Sequence, residues 1–237
     1  MNLAIIDGFL GAGKTLGMSL LSLYFQSQSN CTLYSNYGLA GSKEFTHYEQ
    51  FLDVAKEPSS IICLDEAHTD LDSRSSTTNV VKYFTHLIFY LRKLRCTLML
   101  STPSIENLDA RVRLIANLYV MVSKDKKYFY YDMYDMQKLR HLKRYKIRQA
   151  DAFSVAAKAY DTYNIVLPVE FPSEKKEFNE FLPILKKATN DYYSFRQDDS
   201  DALGTESPGE ELTKFKLETP VFERNVIYLG GVEIEVI

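Results

Sequence analysis

The sequence predicts an α/β fold: a mainly parallel sheet flanked by helices, with an antiparallel hairpin at one edge and a small C-terminal extension. Three observations carry that expectation. Apolar, strand-like runs alternate with helical patterns through the first half of the chain. A glycine-rich stretch, GFLGAGKT (Gly8 to Thr15), sits between the first apolar run and the first helical one. A third apolar run, SIICLD, ends on the acidic pair Asp65-Glu66.

The elements follow in order. Leu3–Asp7 reads as a short buried strand, and Lys14–Phe25 as a helix with Leu16, Leu20, Leu21 and Leu23 on its apolar side. Cys31–Asn36 is a second strand, Tyr48–Ala55 a short helix and Ser60–Asp65 a third strand. Asp72–Thr78 is a polar loop. Val80–Leu94 repeats apolar residues at helical spacing and has one buried stripe. Thr97–Ser101 is a fourth strand, stopped by Pro103, and Ile105–Ile115 looks helical. Leu118–Val122 and Tyr128–Met133 flank SKDKK, a hairpin signal. Residues 151–164 look helical, and Glu174–Asn190 reads as a helix interrupted at Pro183. Gln197–Glu211 is acidic and rich in turn residues, which reads as a linker. At the end, two β-prone runs flank Gly230-Gly231, a pair suited to a tight hairpin turn. The expected division is a core at 1–165, a helical extension at 166–196, an acidic linker at 197–213 and a hairpin element at 214–237.

Composition narrows the class. A hydrophobic share of 46% supports a core, and a net charge of −3 argues against a wholly basic nucleic-acid coat while leaving room for a local basic surface. Cys31, Cys63 and Cys96 lie in strand-like runs with no metal-ligand spacing, as expected of reduced core thiols in an intracellular protein. The N-terminus lacks a basic leader and cleavage site, and no apolar run is long enough to span a membrane.

Gly8–Thr15 fits G-x-x-x-x-G-K-[ST] at every fixed position. Glycines let backbone N–H groups wrap a phosphate, and a helix N-terminus adds its positive end. The expected ATP contacts are Gly8, Phe9, Leu10, Gly11, Ala12, Gly13, Lys14, Thr15 and Leu16. Lys14 would reach the β- and γ-phosphates, and the Thr15 hydroxyl would bind Mg²⁺. The strand ending in Asp65-Glu66 is the usual partner of such a loop. Asp65 would hold Mg²⁺, and Glu66 would polarise an attacking water as the general base. Residues 65–68 spell DEAH, but helicases with that box need two RecA-like domains, and this chain has room for one. His68 is expected to be a neutral neighbour of the site. The TLMLST strand is expected between the loop strand and the Asp65 strand, with its polar tip, Ser101-Thr102, facing the γ-phosphate as a sensor. The fold expected from these motifs is a P-loop NTPase of the RecA-like kind.

The stretches LDEAHTDLDSR, FYLRKLRCTLMLSTPS and ENLDARVR resemble the FtsK–HerA group of ATPases. The look-alikes are the genome-packaging ATPases of tectivirus-type viruses and, close behind, zonular-occludens-toxin-like assembly ATPases of filamentous phages. The resemblance covers residues 2–123. It implies a ring-forming motor, often hexameric, that hydrolyses ATP and translocates viral DNA into a preformed capsid, in the host cytoplasm or at the packaging vertex. It makes Thr102 the sensor, although Pro103 stands where many relatives have Gln. It also implies an arginine given to a neighbouring site. The candidates are Arg74, Arg92, Arg95, Arg111 and Arg113, with Arg92 favoured.

Double-stranded DNA is the expected polymer. Lys138, Arg140, Lys143, Arg144, Lys146 and Arg148 form a run without an acid between them, suited to phosphates rather than to reading bases. Tyr134, His141 and Tyr145 are interleaved and could pack on sugars or bases. The tyrosine-rich KKYFYYDMYDM reads as a half-buried edge. The tail hairpin could dock on a capsid protein or a ring neighbour. Two other functions fit less well. A filamentous-phage-type assembly ATPase usually carries a membrane anchor. A nucleotide kinase needs an acceptor pocket and an arginine-rich lid, and a GTPase needs N-K-x-D, which is absent from the sequence.

Overall fold

The structure is a computed structural model and describes residues 2–67, 79–161, 164–202, 226–229 and 232–236. The strands are β1 (Leu3–Asp7), β2 (Thr32–Ser35), β3 (Lys43–Glu44), β4 (Ser60–Leu64), β5 (Cys96–Thr102), β6 (Leu118–Lys124), β7 (Tyr128–Asp135), β8 (Arg140–Arg148), β9 (Val226–Leu229) and β10 (Val232–Val236). The helices are α1 (Lys14–Ser29), α2 (Phe51–Val54), α3 (Asn79–Tyr90), α4 (Ala110–Ile115), α5 (Gln149–Ala159) and α6 (Lys175–Ala202). The strands make one sheet in the order β3-β2-β4-β5-β1-β6-β7-β8-β10-β9. Every pairing from β3 to β6 is parallel, and every pairing beyond β6 is antiparallel. β5 lies between β1 and β4, as expected.

Alternation along the strands builds two cores. Leu3, Ile5, Ile62, Leu64, Leu98 and Leu100 point to one face and pack with Phe84 and Leu87 of α3 and with Phe178, Phe181 and Leu185 of α6. Ala4, Ile6, Cys63 and Met99 point to the other face and pack with Leu16 and Leu20 of α1 and with Val155 of α5. The parallel strands are buried on both sides, which explains their continuous apolar sequences. The three cysteines are free and buried.

Four expectations change. The helix expected over Ile105–Ile115 is a 3-10 turn at Ile105–Asn107 followed by α4. Leu108 and Asp109 are extended between them, and the Asp109 carboxylate caps α4 by accepting from Arg111 N at 2.9 Å. Pro183 does not interrupt α6, which runs unbroken past it. Pro183 and Asn179, whose carbonyl loses its helical donor, both face solvent, while Phe178, Phe181 and Leu185 hold the opposite side in the core. Residues 197–202 of the expected linker form the end of α6. The terminal hairpin joins this chain's own sheet, with Glu235 opposite Lys146 and Val236 opposite Tyr145. Asp72–Thr78, most of the acidic stretch and the Gly230-Gly231 turn lie outside the described residues. Among those described, no helix is long and apolar enough to cross a membrane.

Candidate phosphate-binding and hydrolytic site

The carboxyl ends of β1, β5 and β4 lie side by side at one end of the sheet. β1 leads into the loop at Gly8, whose N–H donates to Thr102 O at 3.3 Å. Gly13 takes φ +98° in the left-handed region, which lets the loop turn into α1 at Lys14. Ala12 and Leu16 are buried and anchor the turn, whereas Phe9 and Leu10 are both 86% exposed at its tip. Lys14 is buried and reaches back across the loop, where its ammonium donates to Phe9 O at 3.3 Å. The loop, the cation and the start of α1 bring together groups suited to an anion.

Thr15 Oγ1 donates to Asp65 Oδ2 at 2.7 Å. Asp65 Oδ1 accepts from the Ser101 hydroxyl and from Glu66 N, the latter at 3.1 Å. A hydroxyl and a carboxylate in contact are hard oxygen donors that fit Mg²⁺ arriving with phosphate oxygens. Glu66 has φ +54°, an uncommon conformation for a side chain of its size, costing on the order of 1 kcal/mol. Ser101 holds this turn: its hydroxyl accepts from Glu66 N at 3.3 Å and its carbonyl from Ala67 N at 3.0 Å. The turn carries Glu66, which is half-exposed, off the end of β4 next to Asp65.

Asn36 clamps the same strand end from the other side. Its Oδ1 accepts from Asp65 N at 2.8 Å, and its Nδ2 donates to Asp65 O at 3.2 Å and to Leu167 O at 2.9 Å. Nothing local in the sequence marks Asn36 for this part.

The two residues of the expected sensor tip part company. Thr102 points to the opposite sheet face from Asp65, is fully buried, and donates its hydroxyl to Ser104 O at 2.8 Å. Side chains alternate along β5, so Ser101 shares a face with Met99 and reaches Asp65 instead. Ser101→Ala is therefore expected to lower ATP turnover several-fold with little loss of ATP affinity, whereas Thr102→Val leaves turnover near wild type. Steady-state rates and nucleotide titrations check this, and the opposite ranking would restore Thr102.

The arginine candidates scatter. Arg92 is exposed in the turn before β5, roughly 20 Å of strand from the phosphate loop of its own chain, so it could serve only a neighbouring chain. Arg95 donates to Ala55 O at 2.7 Å and to Glu57 O at 3.0 Å, and its guanidinium lies 3.5 Å from the centroid of the Tyr192 ring. That ties α2 to α6 and gives Arg95 a structural task. Arg111 pairs with Asp109 at 2.8 Å and holds that carboxyl below its usual range. Arg113 Nε is buried without a hydrogen-bond partner. Arg74 and His68 lie outside the described residues.

The basic run is strand β8, and the strand divides it. Arg144, Lys146 and Arg148 share a face with Asp132, Tyr130 and Tyr128, while Lys143 faces the other way with Met133. A bulge at Met133/Tyr134 shifts the parity, which puts His141 opposite Tyr134 and Arg140 opposite Asp135. Lys138 lies in the preceding turn. The six cations therefore do not make one surface.

Phosphate loop, acidic strand end and inserted β5 together define a P-loop NTPase fold of the RecA-like kind. Among solved structures, the chain is similar to the genome packaging NTPase B204 from Sulfolobus turreted icosahedral virus 2 in complex with ATP-gammaS, at 12% identity over 60% of this chain and 95% of that one, TM-score 0.47. It is also similar to the N-terminal domain of zonular occludens toxin from Neisseria meningitidis, at 16% identity over 75% and 97%, TM-score 0.45. The flagellar accessory protein FlaH from Methanocaldococcus jannaschii matches at 11% identity over 62% and 84%, TM-score 0.39. No protein-family profile matches the sequence, and no curated protein matches it.

Proposed function

We propose that the chain is an Mg²⁺-dependent ATPase that moves DNA, of the genome-packaging type, and that it works as a ring, in the host cytoplasm or at the packaging vertex. The observation that carries the ATPase reading is the Thr15–Asp65 contact at 2.7 Å, with Glu66 turned out beside it. The sequence likeness to the FtsK–HerA group supports the motor reading.

Bound ATP supplies an electrophilic γ-phosphoryl group whose charge must be neutralised in the transition state. The loop N–H groups and the start of α1 orient its phosphates. Lys14 exchanges Phe9 O for phosphate oxygens. Thr15 and Asp65 would hold Mg²⁺, and Ser101 and Asn36 keep Asp65 aimed. Glu66 would take the proton of the attacking water, which makes water rather than a bound acceptor the group that attacks. That chemistry suits hydrolysis and argues against a kinase. A neighbour in the ring would add an arginine, and Arg92 is the candidate for that role in trans.

The test is the ATPase rate with and without DNA, in fractions sized by light scattering. DNA-stimulated hydrolysis in a large oligomer is expected. A DNA-indifferent monomer would overturn the motor reading while leaving the ATPase.

A further inference from the structure

Strand β7 does different work on its two faces. Phe129, Tyr131 and Met133 point toward α1. Tyr131 is buried there and donates its hydroxyl to Gly13 O of the phosphate loop at 3.1 Å. Its ring lies so near α1 that a Cβ on Gly17 would come within 2.3 Å of it, so only glycine fits at that position. The opposite face carries Tyr128, Tyr130 and Tyr134. Each is half-exposed, and none enters either hydrophobic core.

On β8 two of the cross-strand neighbours on that opposite face are cationic and His141 stands opposite Tyr134, while on the far side of β8 Glu235 of β10 stands opposite Lys146. Arg148 stands opposite Tyr128 and Lys146 opposite Tyr130. The Lys146 ammonium is 5.1 Å from the centroid of the Tyr128 ring, and the Arg144 guanidinium is 5.6 Å from that of Tyr130. Two contacts fix the arrangement. Buried Asp132 holds Arg144 through hydrogen bonds of 2.7 and 2.9 Å, and Tyr130 donates its hydroxyl to Asp125 at 2.7 Å. Arg148 pairs with Asp151 at 2.7 Å, an exposed contact that a phosphate can exchange at small cost. On β6, Tyr119 lies 6.0 Å from Tyr134, and Met121 is 39% exposed between them and the hairpin. The rings of Tyr128 and Tyr130 are 6.1 Å apart and tilted by 47°, so they are not stacked on each other.

We propose that this face of β6–β8 is a binding surface for single-stranded nucleic acid, with bases stacking on Tyr128, Tyr130 and Tyr134 and phosphates lying along Lys146 and Arg148. The proposal rests on the reading of the chain as a DNA-moving ATPase and replaces the duplex expected from the sequence with a single strand as the form of the polymer it grips. Tyr128 to Tyr134 spans about 20 Å of strand, enough for several nucleotides at the stacking rise of about 3.4 Å. Aromatic side chains interleaved with cations suit unpaired bases, because every base offers a ring face. A duplex hides those faces and would be held by a broad phosphate-binding surface instead. Here Arg144 is neutralised by buried Asp132, and Lys143 points away. β7 also links the two sites, since Tyr131 on its back face holds the phosphate loop.

The test compares binding of a fluorescent oligo-dT and of a duplex of equal length to the full chain and to Tyr128→Leu/Tyr130→Leu, which keeps apolar bulk but removes the rings. The expected result is tighter binding of oligo-dT than of duplex by the native protein, and about 10-fold or more weaker oligo-dT binding by the variant. Basal ATPase and melting temperature should stay near native. In parallel, a bromouracil-substituted oligonucleotide is photo-crosslinked to the native protein and the adduct mapped by mass spectrometry. That arm does not depend on the variant folding, and adducts within residues 128–134 are expected. Equal binding of duplex and single strand, full binding by the variant, or adducts confined elsewhere would each overturn the proposal. A native protein without basal ATPase would instead strike the ATPase reading.

Discussion

Glu66→Gln is expected to leave ATP bound and unhydrolysed, whereas Lys14→Ala is expected to lose both binding and turnover. Gln matches Glu in size and tolerance of φ +54°, so the turn held by Ser101 should survive. What disappears is the group that accepts the proton of water, and kcat should fall by at least about 100-fold. Lys14 is different because its ammonium supplies charge to the bound phosphates before any chemistry. Truncation removes that charge and empties a buried position in the loop. Turnover assays paired with fluorescent-nucleotide titrations separate the two. Native turnover by Glu66→Gln would dismiss Glu66 as the base, and tight ATP binding by Lys14→Ala would dismiss the role of Lys14.

What the sequence makes visible is what is local. Gly8 through Thr15 are contiguous, and the strand and helix that bracket them read from their own periodicity. Asp65-Glu66 stand out because an apolar strand ends on them. The position of β5 between β1 and β4 follows from the pairing of those two motifs. Register is not local. Ser101 and Thr102 look equivalent until β5 is paired, and a one-residue difference then puts one at Asp65 and the other against Ser104. The basic run has the same difficulty. It reads as a single patch until it becomes a strand, whose alternation sends Lys143 and Arg144 to opposite faces. Tyr128, Tyr130 and Tyr134 alternate with residues of the α1 core, a pattern of period two that looks like an edge strand and says nothing about what its outer face meets. Pro183 misleads because a break signal costs least where the freed carbonyl belongs to an exposed residue, as Asn179 is here.

Asn36→Ala is expected to cost about 3 kcal/mol of stability and to lower kcat more than ATP affinity. The side chain is only 3% exposed and pairs with three backbone groups: Asp65 N, Asp65 O and Leu167 O. Each buried group left unpaired costs about 1–3 kcal/mol, less where water enters the space. Two backbone bonds on the same residue, Asn36 N to Cys63 O and Leu167 N to Asn36 O, remain and limit the damage to the strand end. The phosphate loop is untouched, so ATP should still bind. Asp65 loses the clamp on its backbone, and with it the fixed origin of the turn that carries Glu66. Asn36→Asp should be worse than Ala despite its similar shape. It keeps an acceptor for Asp65 N, but it loses the donor to two carbonyls and brings a second carboxylate beside Asp65 in a buried site. Urea unfolding should show a lower midpoint for both variants at an unchanged slope, with Asp below Ala. A midpoint unmoved by Asn36→Ala would mean that Asp65 is held by Ser101 and Thr15 alone.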